Sequence, residues 1–152
     1  MKRVAVADED RRSVADWFQV WGERVAAVNF KTVREMFTED AIAFGSKVEM
    51  VTSRDALERE QWRMVWPTMA DYRYDLGTLE VVMSRDRLMA MGAAIFRSTG
   101  FHKDGSTFER SGRVTATLQR ATVGAPWLCN HSHVSLKSGT PTPSYGNRPE
   151  AS

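Results

Sequence analysis

Apolar positions in the first third of the chain recur at helical spacing. Val14, Trp17, Phe18, Trp21, Val25 and Val28 fall on one face of a 3.6-residue helix. Asp8, Glu9 and Asp10 stand near its start, where negative charge complements the helix dipole. A short second helix is predicted over 32–37, with Val33, Met36 and Phe37 as its apolar side. Thr38-Glu39-Asp40 reads as a turn, and 41–46 as a short strand that 48–51 could pair. Thr52 and Ser53 are capping residues, and Thr52-x-x-Asp55 has the spacing of a capping box. The third helix should run to about Trp66 and stop at Pro67. Leu57, Gln61, Met64 and Val65 form one stripe on it, and Trp62 and Trp66 another.

Beyond Pro67 the pattern changes to long strand signals over 72–83, 88–99, 107–118 and 127–136. Ser84-Arg85-Asp86 joins the first two, His102-Lys103-Asp104-Gly105 the middle pair, and 122–126 the last pair. Short connections between consecutive strands imply antiparallel pairing, and strands this long must twist. The expected architecture is α+β: a curved antiparallel sheet, cone-shaped, wrapped around three N-terminal helices. The domain should span 1–136. Residues 137–152, rich in Ser, Gly, Pro and Thr, read as a flexible tail or an arm on a partner.

Composition narrows the class. The chain has 152 residues, 42% hydrophobic and 26% charged, which fits one globular domain. No apolar run is long enough to span a bilayer, and the first residues carry no secretory pattern. The single cysteine, Cys129, cannot close an internal disulfide, so a reducing cytoplasm is the expected compartment. The net charge is +2, with arginines scattered along the chain. No basic stripe with interleaved aromatics suggests a nucleic-acid partner.

Four motifs carry a family resemblance. They are Phe37-Thr38-Glu39-Asp40-Ala41, Ser53-Arg54-Asp55-Ala56-Leu57, Gly112-Arg113-Val114-Thr115, and Trp127-x-x-x-His131-x-His133-x-Ser135. In this element order, over about residues 10 to 136, the chain resembles the nuclear transport factor 2-like superfamily. Within it the chain looks most like SnoaL-like domains and the association domain of calcium/calmodulin-dependent protein kinase II. The resemblance implies a cone-shaped α+β barrel with a small-molecule pocket, usually a homodimer through the convex sheet face. It implies no single chemistry, because such members include isomerases, dehydratases, polyketide cyclases, binding domains and oligomerisation modules. One departure is the turn 120–126, longer than is usual before the tryptophan.

Candidate site residues follow from residue type and from this resemblance. Arg113 matches a position that carries a pocket arginine in the kinase association domain, and Arg97 on the preceding strand resembles a second. A guanidinium suits a carboxylate, which it binds through two parallel hydrogen bonds. The alternative is a pair of surface arginines on salt bridges, with Glu109 as one partner. His131 and His133 share strand parity with Trp127, Cys129 and Ser135, whereas Asn130, Ser132 and Val134 share the opposite face. Either histidine could act as general acid or base. The resemblance leaves open which face is inward; if the second, Asn130 is a polar ligand contact and the histidines turn to the convex side. Two histidines at i, i+2 without a third ligand make a weak metal site, so no metal and no cofactor are expected.

Trp21, Trp62 and Trp66, with Trp17, are core aromatics that could also wall a pocket, joined by Phe44 and Phe96 from the sheet. Tyr72, sharing parity with Tyr74, could donate to an oxyanion, as in steroid-isomerase-like members, or lie at an interface. Asp40 is the acid best placed to serve as a base, or it is simply a turn residue.

Three functions fit this reading. The first is an arginine-anchored binding domain for a carboxylate or aromatic small molecule. The second is an isomerase, dehydratase or cyclase with a base inside the cone. The third is a non-catalytic oligomerisation or interaction module whose cavity is filled by its own side chains.

Overall fold

The computed structural model describes residues 1–146. Helix α1 spans Asp8–Ala26 and buries Val14, Trp17, Phe18, Trp21 and Val25, the face that the periodicity marks. Val28 lies beyond its end with a positive φ of 53°. Helix α2, Phe30–Val33, continues into a 3-10 turn, Arg34–Met36. Strand β1, Phe37–Phe44, starts earlier than expected, so Thr38-Glu39-Asp40 is strand, not turn. Val51 meets Ala43 through a single antiparallel bridge.

The third helical segment is a composite. Helix α3, Arg54–Leu57, is capped by Ser53, whose hydroxyl accepts from the Ala56 N–H at 3.1 Å. The expected capping-box acid, Asp55, instead pairs with Arg34. A wide π turn, Glu58–Trp62, leads to helix α4, Arg63–Val65, and a 3-10 turn, Trp66–Thr68, that includes Pro67. The segment turns Leu57, Trp62, Val65 and Trp66 inward.

The sheet has six strands: β1, β2 (Ala70–Met83), β3 (Met89–Phe101), β4 (Thr107–Glu109), β5 (Gly112–Gln119) and β6 (Leu128–Leu136). Its order is β1-β6-β5-β3-β2, with β4 also paired to β3. All pairings are antiparallel except β1 with β6. The expected strand over 107–118 is interrupted at Arg110-Ser111. Its register on β3 is nevertheless continuous: Thr99 faces Glu109, and Phe96 faces Gly112.

Burial alternates along β3, with Ala90, Gly92, Ala94, Phe96, Ser98 and Gly100 inside. Gly92 among them makes room for Phe18 of α1. A Cβ at Gly92 would stand 2.4 Å from the Phe18 ring. The core is strongly aromatic, with Trp17, Phe18, Trp21, Phe37, Trp62 and Tyr74 in successive ring contacts of 5.0–6.0 Å.

One end of the cone is closed by buried charge. Asp10 accepts from Arg120 at 2.8 Å and from Arg87 at 2.6 Å. The Arg120 guanidinium lies 4.0 Å from the Trp127 ring centroid, whose indole N–H donates to Ser13. At the other end, residues 140–146 cross back over the sheet rather than trailing away. Ser144 donates to the Thr68 carbonyl at 2.5 Å and accepts from the Phe101 N–H at 3.0 Å. The Tyr145 N–H donates to the Phe101 carbonyl. The rest of the expected tail, 147–152, lies outside the described residues.

Candidate functional site

Between the helices and the concave sheet face lies a narrow cavity of about 30 Å³. Trp21, Trp62, Trp66, Tyr72, Tyr74 and Phe96 wall it, and Ser46, Gln61, Arg110, Ser132 and Val134 add its polar and aliphatic edge. Room of this size holds one or two waters, well below the roughly 300 Å³ at which drug-sized sites begin. A second space of about 410 Å³ adjoins it, lined by Ser46, Lys47, Met64, Val65, Thr68, Arg110, Thr142, Pro143 and Ser144. Ser46, Val65 and Arg110 border both spaces, so Arg110 stands at the throat between them.

Arg110 is 3% exposed. Among the described residues no carboxylate pairs with it. Its Nη2 donates weakly to the Ser46 hydroxyl at 3.4 Å, its Nη1 lies 3.6 Å from the Met69 sulfur, and its Nε–H has no partner. Burial pulls its pKa below the ordinary guanidinium value. A buried cation left this short of partners is costly, and a bound anion would offset that cost.

The other polar groups here also donate. The Tyr72 hydroxyl donates to that of Tyr74 at 3.2 Å, which leaves one proton of the pair to serve a third group. Burial pushes both phenols well above their ordinary range, so both stay protonated. Trp21 keeps a buried indole N–H without an acceptor. Gln61 fixes the end of β1: its carbonyl accepts from the Lys47 and Val48 N–H groups, and its amide donates to Ser46. Gly45 permits this close approach, since a Cβ there would stand 2.4 Å from the Gln61 oxygen.

The expected basic and catalytic residues lie elsewhere. Arg113 is on the outer face of the sheet, because Val114, Ala116 and Leu118 take the inner positions of β5. Arg97 is also outward, on Asp75 at 3.2 Å and Glu109 at 3.5 Å, as the salt-bridge alternative has it. Arg110 shares parity with Val114, Ala116 and Leu118, and that alternation is the sequence signal that identifies it.

His131 and His133 share no face with Trp127 and Cys129 after all. A bulge at Asn130 breaks the alternation: Leu118 faces Cys129, but Thr117 faces His131. Ser132 and Val134 therefore point inward, and both histidines outward, where their rings meet Phe44 at 5.6 and 5.2 Å. His131 Nδ1 lies 2.9 Å from the Ile42 carbonyl. Asn130 donates to Gln119 at 2.7 Å, away from the cavity. Phe44 borders the cavity but is 37% exposed, with its ring on these histidines.

Asp40 is exposed on β1 and does not line the cavity. Trp21, Trp62, Trp66 and Tyr72 do line it, as expected. Cys129 is buried, with its thiol pKa raised by desolvation and its S–H directed at the His131 carbonyl, so it is not an activated nucleophile. Among the described residues no three His, Cys, Asp or Glu side chains gather into a metal site. No helix among them is long and apolar enough to cross a membrane.

No protein-family model matches the chain, and no curated protein matches it in sequence. Solved structures do. A candidate calcium/calmodulin-dependent protein kinase II association domain from Xanthomonas campestris superposes with a TM-score of 0.71 at 21% identity, covering 92% of this chain and 97% of that one. A ketosteroid isomerase-like protein from Erwinia carotovora atroseptica gives 0.72 at 15% identity, over 87% and 99%. A nuclear transport factor 2-like superfamily protein from Salmonella enterica serovar Typhimurium gives 0.70 at 11%, over 88% and 96%. At these identities the likeness is one of fold. The chain has the nuclear transport factor 2-like fold, as its motifs led one to expect.

Proposed function

We propose that this protein binds a small anionic molecule at Arg110 without acting on it by proton transfer. One observation carries the reading: a buried guanidinium without a carboxylate partner, in a lining that offers donors and neither an acid nor a histidine. An acid–base catalyst of the steroid-isomerase type needs a base within hydrogen-bond reach of its substrate. His131, His133 and Asp40 are too far round the sheet to serve. The arginine anchor expected at Arg113 is therefore reassigned to Arg110.

Native mass spectrometry of the protein purified gently from its own host tests this. The expected result is a stoichiometric small-molecule adduct that Arg110→Met loses. That variant should stay folded and be at least as stable as wild type, because an apolar side chain replaces an unpaired buried charge. An adduct that survives Arg110→Met would defeat the reading.

We also infer a homodimer through the outer face of the sheet. Ile42, Phe44, Met89 and Leu128 are 37–41% exposed, and large apolar side chains gathered on one face mark interaction surfaces. The small volume of the inner cavity favours a second reading, an association module with a vestigial pocket. Under it, the protein carries no adduct and the dimer withstands dilution.

A further inference from the structure

We propose that the ligand is an acid with an apolar body. Its head sits at Arg110, and its body lies in the outer chamber beneath the C-terminal segment, not in the aromatic cone. This rests on the Arg110 reading above and adds the class of ligand and its direction. The inner cavity, about 30 Å³, admits a carboxylate in place of water and little else. The outer chamber is more than ten times larger, at about 410 Å³, and the two meet at Arg110. A molecule anchored at that throat can extend only outward.

The chamber walls describe what extends. Met64, Val65 and Pro143 present apolar surface to it, and Met64 is half-exposed there. Lys47, exposed at the rim, adds attraction for an anion on its way in. The outer wall is Thr142-Pro143-Ser144, held in place by Ser144 on the Thr68 carbonyl and the Phe101 N–H. Three hydrogen bonds to two residues, counting that of Tyr145, fix this wall. The segment that composition alone assigns to a loose tail thus completes the site.

Acetate, hexanoate and hexanol make the test, titrated by calorimetry and NMR into the full chain. Hexanoate should bind at least about tenfold more tightly than acetate, since its added methylenes leave water, and hexanol should not bind. Arg110→Gln should abolish binding of both acids. Pro143→Trp, which fills the chamber, should weaken hexanoate about tenfold and spare acetate. Ser144→Ala, which frees the wall, should speed hexanoate release, with circular dichroism reporting that each variant is folded. Equal affinities for the two acids, or hexanoate binding unmoved by Pro143→Trp, overturn the outward body and leave the Arg110 anchor standing. Failure of both acids to bind, or binding indifferent to Arg110→Gln, overturns both.

Discussion

Two buried ionic residues behave oppositely. Arg110 is left without a counterion, whereas Asp10 is shared by two guanidinium groups. Hydrogen bonds from Arg87, then from Arg120, hold the Asp10 carboxyl below its ordinary pKa against the opposing effect of burial. A depressed folded pKa gives stability that is full above the unfolded value, about 4, and lost as pH falls through the folded one. Asp10→Ala should cost about 3 kcal/mol at pH 7, because it strands Arg120 at 2% side-chain exposure. In urea titrations the gap between wild type and this variant should hold from pH 7 to 5 and narrow below about pH 4. A gap independent of pH down to 2 would show that the ionised carboxylate is not what matters. In the sequence Asp10 reads as one of three acids favouring a helix start. Its partners lie 77 and 110 residues away, and no local pattern could pair them.

Among the elements, α1 lies against β2 and reaches β3 where the Phe18 ring sits over Gly92. Gly92→Ala would put a methyl group 2.4 Å from the ring of Phe18, which is fully buried in ring contact with Trp17, Trp21 and Tyr74. It should destabilise the fold by about 1–3 kcal/mol, read as a lower urea midpoint with unchanged slope. A neutral result would mean that α1 shifts easily on the sheet. On β6 the strand face differs from the expected one for a local reason. Alternation counts positions, and a single extra residue reverses every side chain beyond it. Asn130 is that residue in β6, and it separates His131 and His133 from Trp127 and Cys129. On β5 the alternation is unbroken, so the apolar positions Val114, Ala116 and Leu118 put Arg113 outside. Arg110, in the break before β5, is inside because it stays paired with the inward Ser98.

At the scale of the whole molecule, helices fill the concave face, and among the described residues none covers the convex one. Sedimentation equilibrium should give twice the 17.2 kDa chain mass. Ile42→Asp, which buries a charge within the inferred contact, should give monomers. A wild-type monomer at tens of micromolar would remove the dimer from the proposal. Much of this shape is written in the sequence. Helical periodicity marks the buried face of α1, and turn residues separate the four long strands. The motif order points to the nuclear transport factor 2-like fold. Those features are local, set by spacing and backbone preference over a few residues. The site is decided by tertiary structure instead. Which buried arginine lacks a carboxylate, which face of β6 is inner, and where 140–146 returns to the sheet all depend on contacts between distant segments. The sequence determined that a cone would form with aromatic walls. Only the folded chain decided that its throat would hold one buried, unpaired guanidinium.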